Sequence, residues 1–282
     1  MSKKLIIATS LGYQFYQIEL FLSSLNRVYH GHLLLLTDQK YKLRNYNFLI
    51  EIGDISSDFY QTSLTVSLNS ANNKRLFYAE KFIQNNFQYE QILLTDIRDV
   101  VFQEDPFNAV LDEKLQVAAE DVLIGENEYN LNWIKALMGE DYLESIKHQK
   151  VFCSGTILGN REIILKYLKY VTELVAQKGA VLDSGLEYFV ADQAAFNAFC
   201  YENSDLIRIH SNTTGKIFTM SYTSKIILSG AGTFINDNAQ QYAIIHQYDR
   251  YNFLIDMLKK KYGIFGWQDF KNAIKLIIGK CL

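Results

Sequence analysis

The stretch of sequence that decides the fold is YEQILLTDIRDVVFQEDPFN, which occupies residues 89–108. Within it, an apolar run at 92–94 ends at Asp96, a second carboxylate follows at Asp99, and the apolar pattern starts again at Val100. A short apolar run bounded by polar residues is typical of a buried strand. Because ligands bind beyond the carboxyl ends of the strands in open α/β sheets, the two carboxylates either line a ligand site there or serve as turn residues, for which Asp is also common.

The segments that precede these carboxylates alternate between strand-like and helix-like patterns. The predicted strands are 5–8, 33–36, 48–52 and 91–94, and the predicted helices are 17–25 and 74–85. This alternation predicts an α/β fold with a mostly parallel central sheet flanked by helices. The single proline, Pro106, predicts a turn just beyond the two carboxylates.

Composition limits the classes of protein to which the chain can belong. Its 282 residues suit one α/β domain, with or without a small appendage, and hydrophobic residues make up 49%, enough for a full core. A formal net charge of −3 argues against nucleic acid as the main partner. Three cysteines with no metal or redox spacing predict a reducing, cytoplasmic location. The N-terminal apolar run is shorter than that of a signal peptide, and no uninterrupted run approaches the roughly 18 apolar residues of a membrane span.

Two common nucleotide-binding motifs are absent from the sequence. The loop after the first predicted strand reads TSLGY at 9–13, which is not Gly-x-Gly-x-x-Gly, and no Gly-x-x-x-x-Gly-Lys-Ser/Thr occurs. These absences argue against a dehydrogenase and a kinase. They do not argue against an enzyme that holds a diphosphate through a metal ion.

Two carboxylates and one histidine are the main candidate metal ligands. Asp96 and Asp99 offer hard oxygen donors that suit Mg²⁺ or Mn²⁺ carrying a diphosphate. His246 follows an apolar run, where a histidine is more often structural than a ligand, although a neutral imidazole can complete a Mn²⁺ shell that carboxylates begin. His210 and His148 are alternative candidates in less informative surroundings.

Taken in order, the motifs resemble those of the GT-A fold glycosyltransferases, and most closely those of glycosyltransferase family eight and its bacterial relatives. In that family, a helix bearing an Arg-Leu pair precedes a strand that ends in Asp-x-Asp, and here Arg75-Leu76 precedes Asp96. The run CSGTILG at 153–159 resembles the family's small-residue strand near the sugar, and Asp192-Gln193 resembles its Asp-Gln segment. The matches cover the chain from its first residue to about residue 250.

The resemblance implies a Rossmann-like GT-A domain over residues 1–250 and a metal-dependent glycosyltransferase reaction. Such an enzyme moves a sugar from a nucleotide-diphosphate donor, here expected to be a UDP-sugar, to an acceptor hydroxyl on a glycan, glycolipid or glycoprotein. The bacterial relatives place this reaction in the assembly of surface glycans or glycoconjugates. The implied cofactor is Mn²⁺ or Mg²⁺, held by Asp96, Asp99 and His246, the last of which stands where the family places a metal-binding histidine.

The resemblance also implies residues that bind the donor. Arg75 would point towards the sugar-diphosphate. The resemblance does not assign Arg98, which lies between the two carboxylates: its planar donor group suits contact with phosphate, and neutralising a carboxylate or pointing to solvent are the alternatives. Ser154 and Gly155 would line the sugar pocket, because small residues let the backbone approach a ligand closely. Tyr13, just after the first predicted strand, would stack on the nucleobase.

The predicted catalytic residues are Asp192 and Gln193. By the resemblance, they would lie beside the anomeric carbon, where they could bind sugar hydroxyls and stabilise a cationic transition state. An inverting enzyme also needs a general base, for which Asp192 and Asp183 are both candidates, whereas a retaining enzyme does not need one placed in that way. The residues themselves predict a helix that begins near Asp192 with Phe196 and Phe199 on its buried side, so that Asp192 could be an ordinary helix cap instead.

The sequence departs from the family pattern at the second Asp of Asp-x-Asp, where Arg98 stands. A metal would therefore be held either by Asp99 or by Asp96 acting with a water. The Lys-rich motif that usually follows the late histidine is also absent. Two alternatives stay open: a non-catalytic protein that binds a nucleotide sugar or a partner through a degenerate metal motif, and a sugar nucleotidyltransferase. A nucleotidyltransferase would require a basic, Gly-rich loop after the first strand. Residues 10–16 contain no Lys or Arg, which argues against this alternative.

The C-terminal segment, residues 251–282, is predicted to form a basic amphipathic helical tail. Residues 257–282 contain six lysines and one acidic residue, Asp269. One face at helical spacing carries apolar side chains, namely Trp267, Phe270, Ile274, Ile277 and Ile278. This composition fits a peripheral anchor at the inner face of a membrane, and it fits equally a helix packed on the main domain with its lysines in water.

Overall fold

A computed structural model of the chain describes residues 3–55, 71–182, 191–221 and 224–264. In chain order, its strands and α-helices are β1 (Lys3–Thr9), α1 (Phe15–Leu25), β2 (His32–Thr37), β3 (Leu49–Asp54), α2 (Ala71–Asn85), β4 (Tyr89–Thr95), β5 (Val100–Phe102), β6 (Leu115–Leu123), α3 (Glu128–Met138), α4 (Glu140–Ile146), β7 (Lys150–Asn160), α5 (Arg161–Leu182), α6 (Ala191–Glu202), β8 (Ile207–His210), β9 (Ile217–Thr219), β10 (Ile244–His246) and α7 (Asn252–Tyr262). The strands and helices predicted from the sequence are all present as β1 to β4, α1 and α2. The predicted turn at Pro106 is a short 3₁₀-helix that begins at this proline.

Seven strands form the central sheet in the order β3-β2-β1-β4-β7-β6-β8. The neighbours β3, β2, β1 and β4 run parallel, as do β6 and β8, whereas β7 is antiparallel to both β4 and β6. Residues 33–36 of β2 are fully buried and point alternately into two apolar clusters, one on each face of the sheet. Burial on both faces explains why the parallel strands are apolar along their length. The predicted α/β fold, with a mostly parallel central sheet flanked by helices, is confirmed.

Three short strands form a second sheet in the order β5-β10-β9. Strand β5 runs antiparallel to β10, so that Val100 lies opposite His246. The backbone N–H of Gln247 extends this pairing by donating to the carbonyl of Asp99 at 2.8 Å. The apolar run that follows Asp99 therefore brings a segment from late in the chain against the carboxyl end of β4.

Helix α6 is attached to β7 by two amide side chains. Asn197 accepts a hydrogen bond from the Phe152 N–H at 2.9 Å and donates to the Phe152 carbonyl at 2.9 Å. Gln193 donates to the same carbonyl at 2.7 Å and accepts from the Ser154 N–H at 2.9 Å. The two phenylalanines predicted to lie on the buried side of this helix are buried. The start of α6 is thus fixed against the strand that carries the small residues.

The C-terminal segment is described as far as residue 264. Helix α7 packs against the small sheet and α1 through Leu254, Leu258 and Tyr262, and the Tyr262 hydroxyl donates to the Phe102 carbonyl at 2.7 Å. The apolar face predicted from residue 267 onward lies outside the described residues, so the amphipathic tail stays a prediction. In the described ranges, no helix combines the length and the apolar character that crossing a membrane requires.

The substitution Asn197→Ala tests the attachment of α6 to β7. It would leave the buried Phe152 N–H without its acceptor, so we expect the free energy of unfolding to fall by about 2 kcal/mol, measured by urea denaturation. Asn203→Ala is the matched control, because Asn203 donates to the Phe199 carbonyl at 2.9 Å at the less buried end of the same helix. Water can replace that bond, so its loss should cost less than about 1 kcal/mol. Equal costs for the two variants would contradict the role given to Asn197.

Candidate functional site

A cleft of about 540 Å³ opens at the carboxyl end of β4. Its volume lies within the range of small-molecule sites, and its position is where open α/β sheets bind ligands. Six residues predicted from the sequence line it, namely Arg75, Asp96, Ser154, Gly155, Asp192 and Gln193. The fold therefore brings together residues from α2, β7, α6 and the loop after β4.

Asp96, Asp99 and His246 form a cluster beside this cleft, with one ligand atom from each lying within 4.8 Å of the others. The Nε2 atom of His246 is 3.6 Å from Oδ2 of Asp96 and 3.8 Å from Oδ2 of Asp99. Asp99 therefore joins the cluster although it stands three residues after Asp96, with Arg98 between them. The next residue, Gln247, has a φ of 59°, which is uncommon for a residue other than glycine, and the hydrogen bond from its N–H to Asp99 holds it there.

Gly155 lets the backbone of β7 approach this cluster. Its carbonyl accepts a hydrogen bond from the Asp96 N–H at 2.9 Å. A Cβ atom at this position would lie 2.5 Å from Nε2 of His246 and 2.7 Å from Oδ2 of Asp96. Any side chain at position 155 would thus displace one of the candidate ligands.

The guanidinium of Arg75 connects the cluster to helix α6. It forms one ion pair with Asp96 and a second, at 2.8 Å, with Asp192. Burial alone would lower the pKa of Arg75, but the two carboxylates outweigh burial and raise that pKa. Arg75 is therefore a fixed positive charge in the lining of the cleft.

The two carboxylates of the cluster differ in their electrostatic surroundings. Burial would raise the pKa of Asp96, but Arg75 and His246 outweigh it and hold this pKa below its ordinary value. Burial is also the largest influence on Asp99 and raises its pKa, with Asp96 and Asp249 adding to the rise and His246 opposing it. Of these two candidate ligands, Asp99 is therefore the one whose negative charge a nearby cation would stabilise more.

The buried imidazole of His246 has a different environment at each ring nitrogen. Its Nδ1 lies 3.6 Å from the Cys153 Sγ, whereas its Nε2 faces the two carboxylates and has no hydrogen-bond partner among the described residues. Burial lowers the pKa of His246, but Cys153, Asp99 and Asp96 together raise it well above its ordinary value. A proton on the imidazole and a divalent cation would therefore compete for the same place, since a metal needs the neutral ring.

Glu120 and Cys153 are candidate functional residues that the sequence did not reveal. Glu120 is buried on β6 and lines the cleft together with Cys153. Burial raises the pKa of Glu120 more than Arg250 and His246 lower it. For Nε2 of His246 to bind a cation, Nδ1 must carry the ring proton and donate it towards Cys153, so this thiol orients the ring. The sequence signal for Glu120 was a glutamate directly after the apolar run 117–119.

Arg98 and Tyr13, both predicted to contact the donor, are not among the residues that line the cleft. The half-exposed Arg98 guanidinium pairs with Asp249 at 2.9 Å. Tyr13 lies within electrostatic reach of the cluster, because Arg98 opposes and Asp96 adds to the rise in its pKa that burial causes. Their roles in donor binding stay predictions.

The predicted catalytic pair lines the cleft but is held by internal contacts. Asp192 is 1% exposed and pairs with Arg75. The amide of Gln193 bonds to the backbone of β7 and also donates to Oδ1 of Asn130 at 3.2 Å. The polar atoms of both residues thus join α2, α3, α6 and β7, and their catalytic role stays a prediction.

The alternative histidines do not join the cluster. His210 is fully buried, with Nε2 3.1 Å from Oε1 of Gln116 and Nδ1 accepting from the Lys216 N–H at 3.0 Å. Burial is the main cause that lowers the pKa of His210 to about 4, so it is a neutral structural residue. His148 is exposed at the surface. Asp183, the rival candidate for a general base, lies outside the described residues.

The cluster fits a divalent cation such as Mn²⁺ or Mg²⁺ in three respects. It offers two carboxylates and one imidazole, a donor set suited to Mn²⁺. One buried ring nitrogen has no hydrogen-bond partner in the described part of the chain, and the glycine of β7 leaves the space that a Cβ would fill. Among known proteins, no family model matches the chain, and a search of the curated proteins finds no match.

The substitution Gly155→Ala should impair cation binding, because the new Cβ would force His246 or Asp96 to move. We expect the affinity for Mn²⁺, measured by isothermal titration calorimetry, to fall at least roughly 10-fold, the loss seen when a metal ligand is no longer held in place. Gly159→Ala, on the same strand, is the matched control, since its Cβ would meet Cγ2 of Ile163 at 2.6 Å in the apolar core. The control should lose thermal stability and keep its Mn²⁺ affinity. Unchanged affinity in a folded Gly155→Ala protein would rule out cation binding at this cluster.

Proposed function

We propose that the protein is a metal-dependent glycosyltransferase of the GT-A class, which moves a sugar from a nucleotide-diphosphate donor, expected to be a UDP-sugar, to an acceptor hydroxyl. The observation that carries the proposal is the cluster of Asp96, Asp99 and His246 beside a cleft of about 540 Å³ at the carboxyl end of β4. The mostly parallel α/β sheet and the order of the motifs along the chain support the GT-A assignment. A cytoplasmic role in bacterial surface-glycan assembly belongs to the same proposal.

The cation and one arginine would compensate the charge of the donor. Asp96, Asp99 and His246 would hold Mn²⁺ or Mg²⁺, which, when bound, offsets the negative charge that develops on a leaving diphosphate. Arg75 adds a positive charge that two carboxylates already hold in position. A preorganised charge of this kind needs no rearrangement during the reaction, which makes it effective in stabilising a transition state. Asp192 would act mainly by positioning Arg75.

Glu120 is the better of the two buried carboxylates for the role of general base. The Asp192 carboxylate is held in an ion pair with Arg75 at 2.8 Å, so it is already engaged in positioning the guanidinium. Burial raises the pKa of Glu120, and a general base becomes more effective as its pKa approaches the working pH. In an inverting reaction, the Glu120 carboxylate would accept the proton of the acceptor hydroxyl as that oxygen attacks the sugar.

The substitution Glu120→Gln tests this role. Glutamine keeps the size of the side chain but cannot accept the proton, so we expect kcat to fall by roughly 100-fold or more, within the range of general-base effects. Donor affinity should change by less than about 2-fold, because the interaction is needed in the transition state rather than in the ground state. Glu113→Gln, at an exposed glutamate before the same strand, should leave both constants unchanged. A kcat near that of the wild type in Glu120→Gln would exclude Glu120 as the base.

The substitution Asp99→Asn tests the metal ligand and, with it, the proposed reaction. We expect affinity for Mn²⁺ to fall by more than the roughly 10- to 100-fold typical of residues that only support a ligand. Release of UDP from a panel of UDP-sugars should stop in this variant and in wild-type protein treated with EDTA. Asp237→Asn is the control, because Asp237 pairs with Lys225 at the surface, where ion pairs contribute little.

Three outcomes would point away from the proposed reaction. Full activity in EDTA would exclude a metal-dependent reaction. Binding of a UDP-sugar, seen as a Mn²⁺-dependent rise in melting temperature, without release of UDP would instead indicate a non-catalytic nucleotide-sugar-binding protein. Release of pyrophosphate from UTP and a sugar 1-phosphate would indicate a nucleotidyltransferase.

A further inference from the structure

One wall of the cleft is formed by the start of α3 and the segment just before it. Glu126, Glu128, Tyr129 and Trp133 line this wall, which is called the α3 wall below. None of the four belongs to the cation cluster. The proposed donor site therefore leaves this side of the cleft without an assigned ligand.

The α3 wall carries a pair of aromatic side chains. Tyr129 and Trp133 lie one helical turn apart, with their ring centroids 5.7 Å apart and their planes tilted by 40°. Tyr129 is 64% exposed, whereas Trp133 packs partly against the apolar core. Rigid aromatic side chains give a large contact area and lose little conformational entropy when a ligand binds. The pair is suited to a flat ligand with an apolar face.

Helix α3 is held firmly in place beneath these rings. The Asn127 side chain caps the helix by accepting from the Asn130 N–H at 3.0 Å, and Ile134 and Leu137 are buried on the adjacent face. Asn130 also accepts from the Gln193 amide at 3.2 Å. The aromatic pair therefore sits on a rigid element that contacts the predicted catalytic segment, as a precise binding site requires.

The polar groups of the α3 wall are acidic. Glu126 and Glu128 are exposed, and carboxylates accept hydrogen bonds from hydroxyl groups but repel anions. Among the described residues that line the cleft there is no lysine, and the two arginines, Arg75 and Arg250, lie outside α3. The wall therefore favours a neutral ligand rich in hydroxyl groups over a phosphate or an acidic sugar.

We propose that the α3 wall is the acceptor subsite and that it binds a neutral pyranose. The C–H face of the sugar ring would stack on Tyr129 and Trp133, and ring hydroxyls would donate to Glu126 and Glu128. This inference rests on the proposed transferase function and names its acceptor class: a saccharide with an uncharged terminal sugar. A nucleobase could also stack on the rings, but its diphosphate would then approach two carboxylates.

Ligand-detected NMR tests the subsite without any turnover. Lactose, cellobiose and maltose serve as neutral probes at millimolar concentration, and cellobiouronic acid serves as the acidic counterpart of cellobiose. We expect saturation transfer to at least one neutral disaccharide, and weaker transfer to cellobiouronic acid than to cellobiose. Absence of transfer to all three neutral probes, or equal transfer to the acidic one, would overturn the proposal.

Substitutions at Tyr129 locate the binding. Tyr129→Ala should weaken binding of the neutral disaccharide by roughly 3- to 10-fold, the worth of one aromatic contact. Tyr129→Phe should bind the disaccharide as the wild type does, because stacking requires the aromatic ring and not the hydroxyl. Phe87→Ala is the matched control, since Phe87 is 76% exposed just before β4, at the amino end of that strand, whereas the cleft opens at its carboxyl end. Binding by Tyr129→Ala equal to that of the wild type would exclude the α3 wall.

Two further measurements separate this proposal from the proposed function. The Mn²⁺-dependent binding of UDP and the slow hydrolysis of a UDP-sugar without acceptor should be the same in Tyr129→Ala as in the wild type. A loss of UDP binding in this variant would show that the rings bind the nucleobase and would overturn the subsite. If the wild type hydrolyses no UDP-sugar, the transferase function fails, while disaccharide binding still decides whether the α3 wall is a saccharide site.

Discussion

The paired and largely buried guanidinium of Arg75, whose side chain is 14% exposed, makes the interaction on which the site depends. A buried charge is strongly unfavourable unless it is paired and hydrogen-bonded, and Arg75 meets this requirement through Asp96 after β4 and Asp192 at the start of α6. The pairing fixes α2, β4 and α6 relative to one another, because the planar fork of the guanidinium reaches two carboxylates at once. A lysine, with a single ammonium group, could not make the same connection. The polar lining of the cleft is therefore a network in which each charge requires its neighbours.

The negative charge of the neighbouring carboxylates must likewise be compensated, and this explains the electrostatics of the rest of the cluster. With Asp96, Asp99 and Asp192 ionised, the three carboxylates and the Arg75 guanidinium leave a formal charge of −2. A protonated imidazole on His246 would offset part of this charge, and Cys153, Asp99 and Asp96 together raise the pKa of His246 well above its ordinary value. A divalent cation would offset all of it and would release the imidazole proton. Because Gly155 has no Cβ, the space beside His246 and Asp96 in which the imidazole proton or the cation would lie stays open.

The parts of the fold that the sequence predicted are those set by local pattern. The strands β1 to β4 were visible because continuous apolar runs are the signature of strands buried on both faces, and Asp96 and Asp99 stood out because they follow one of these runs. His246 required the family resemblance, since its place beside Asp99 comes from the pairing of β10 with β5 across much of the chain. Glu120 and Cys153 were missed because their shared place in the cleft depends on the register of β6 against β7, which contains irregularities. The pairing of Arg98 with Asp249 could not be predicted either. A charged residue in a sequence does not show with which distant charge it will pair in the fold.

The distribution of charge around the cleft bears on how two substrates could share it. Arg75 and the cation cluster lie near the carboxyl end of β4, so a diphosphate would be attracted there and repelled by Glu126 and Glu128 on the α3 wall. The transferred sugar would then lie near Ser154 and Gly155, where the backbone is open. The acceptor would occupy the remaining side, against the rings of α3, in the same cleft that Glu120 lines. The acidic wall would then not compete with the cation cluster for the donor, because its negative charge would keep a diphosphate on the other side of the cleft.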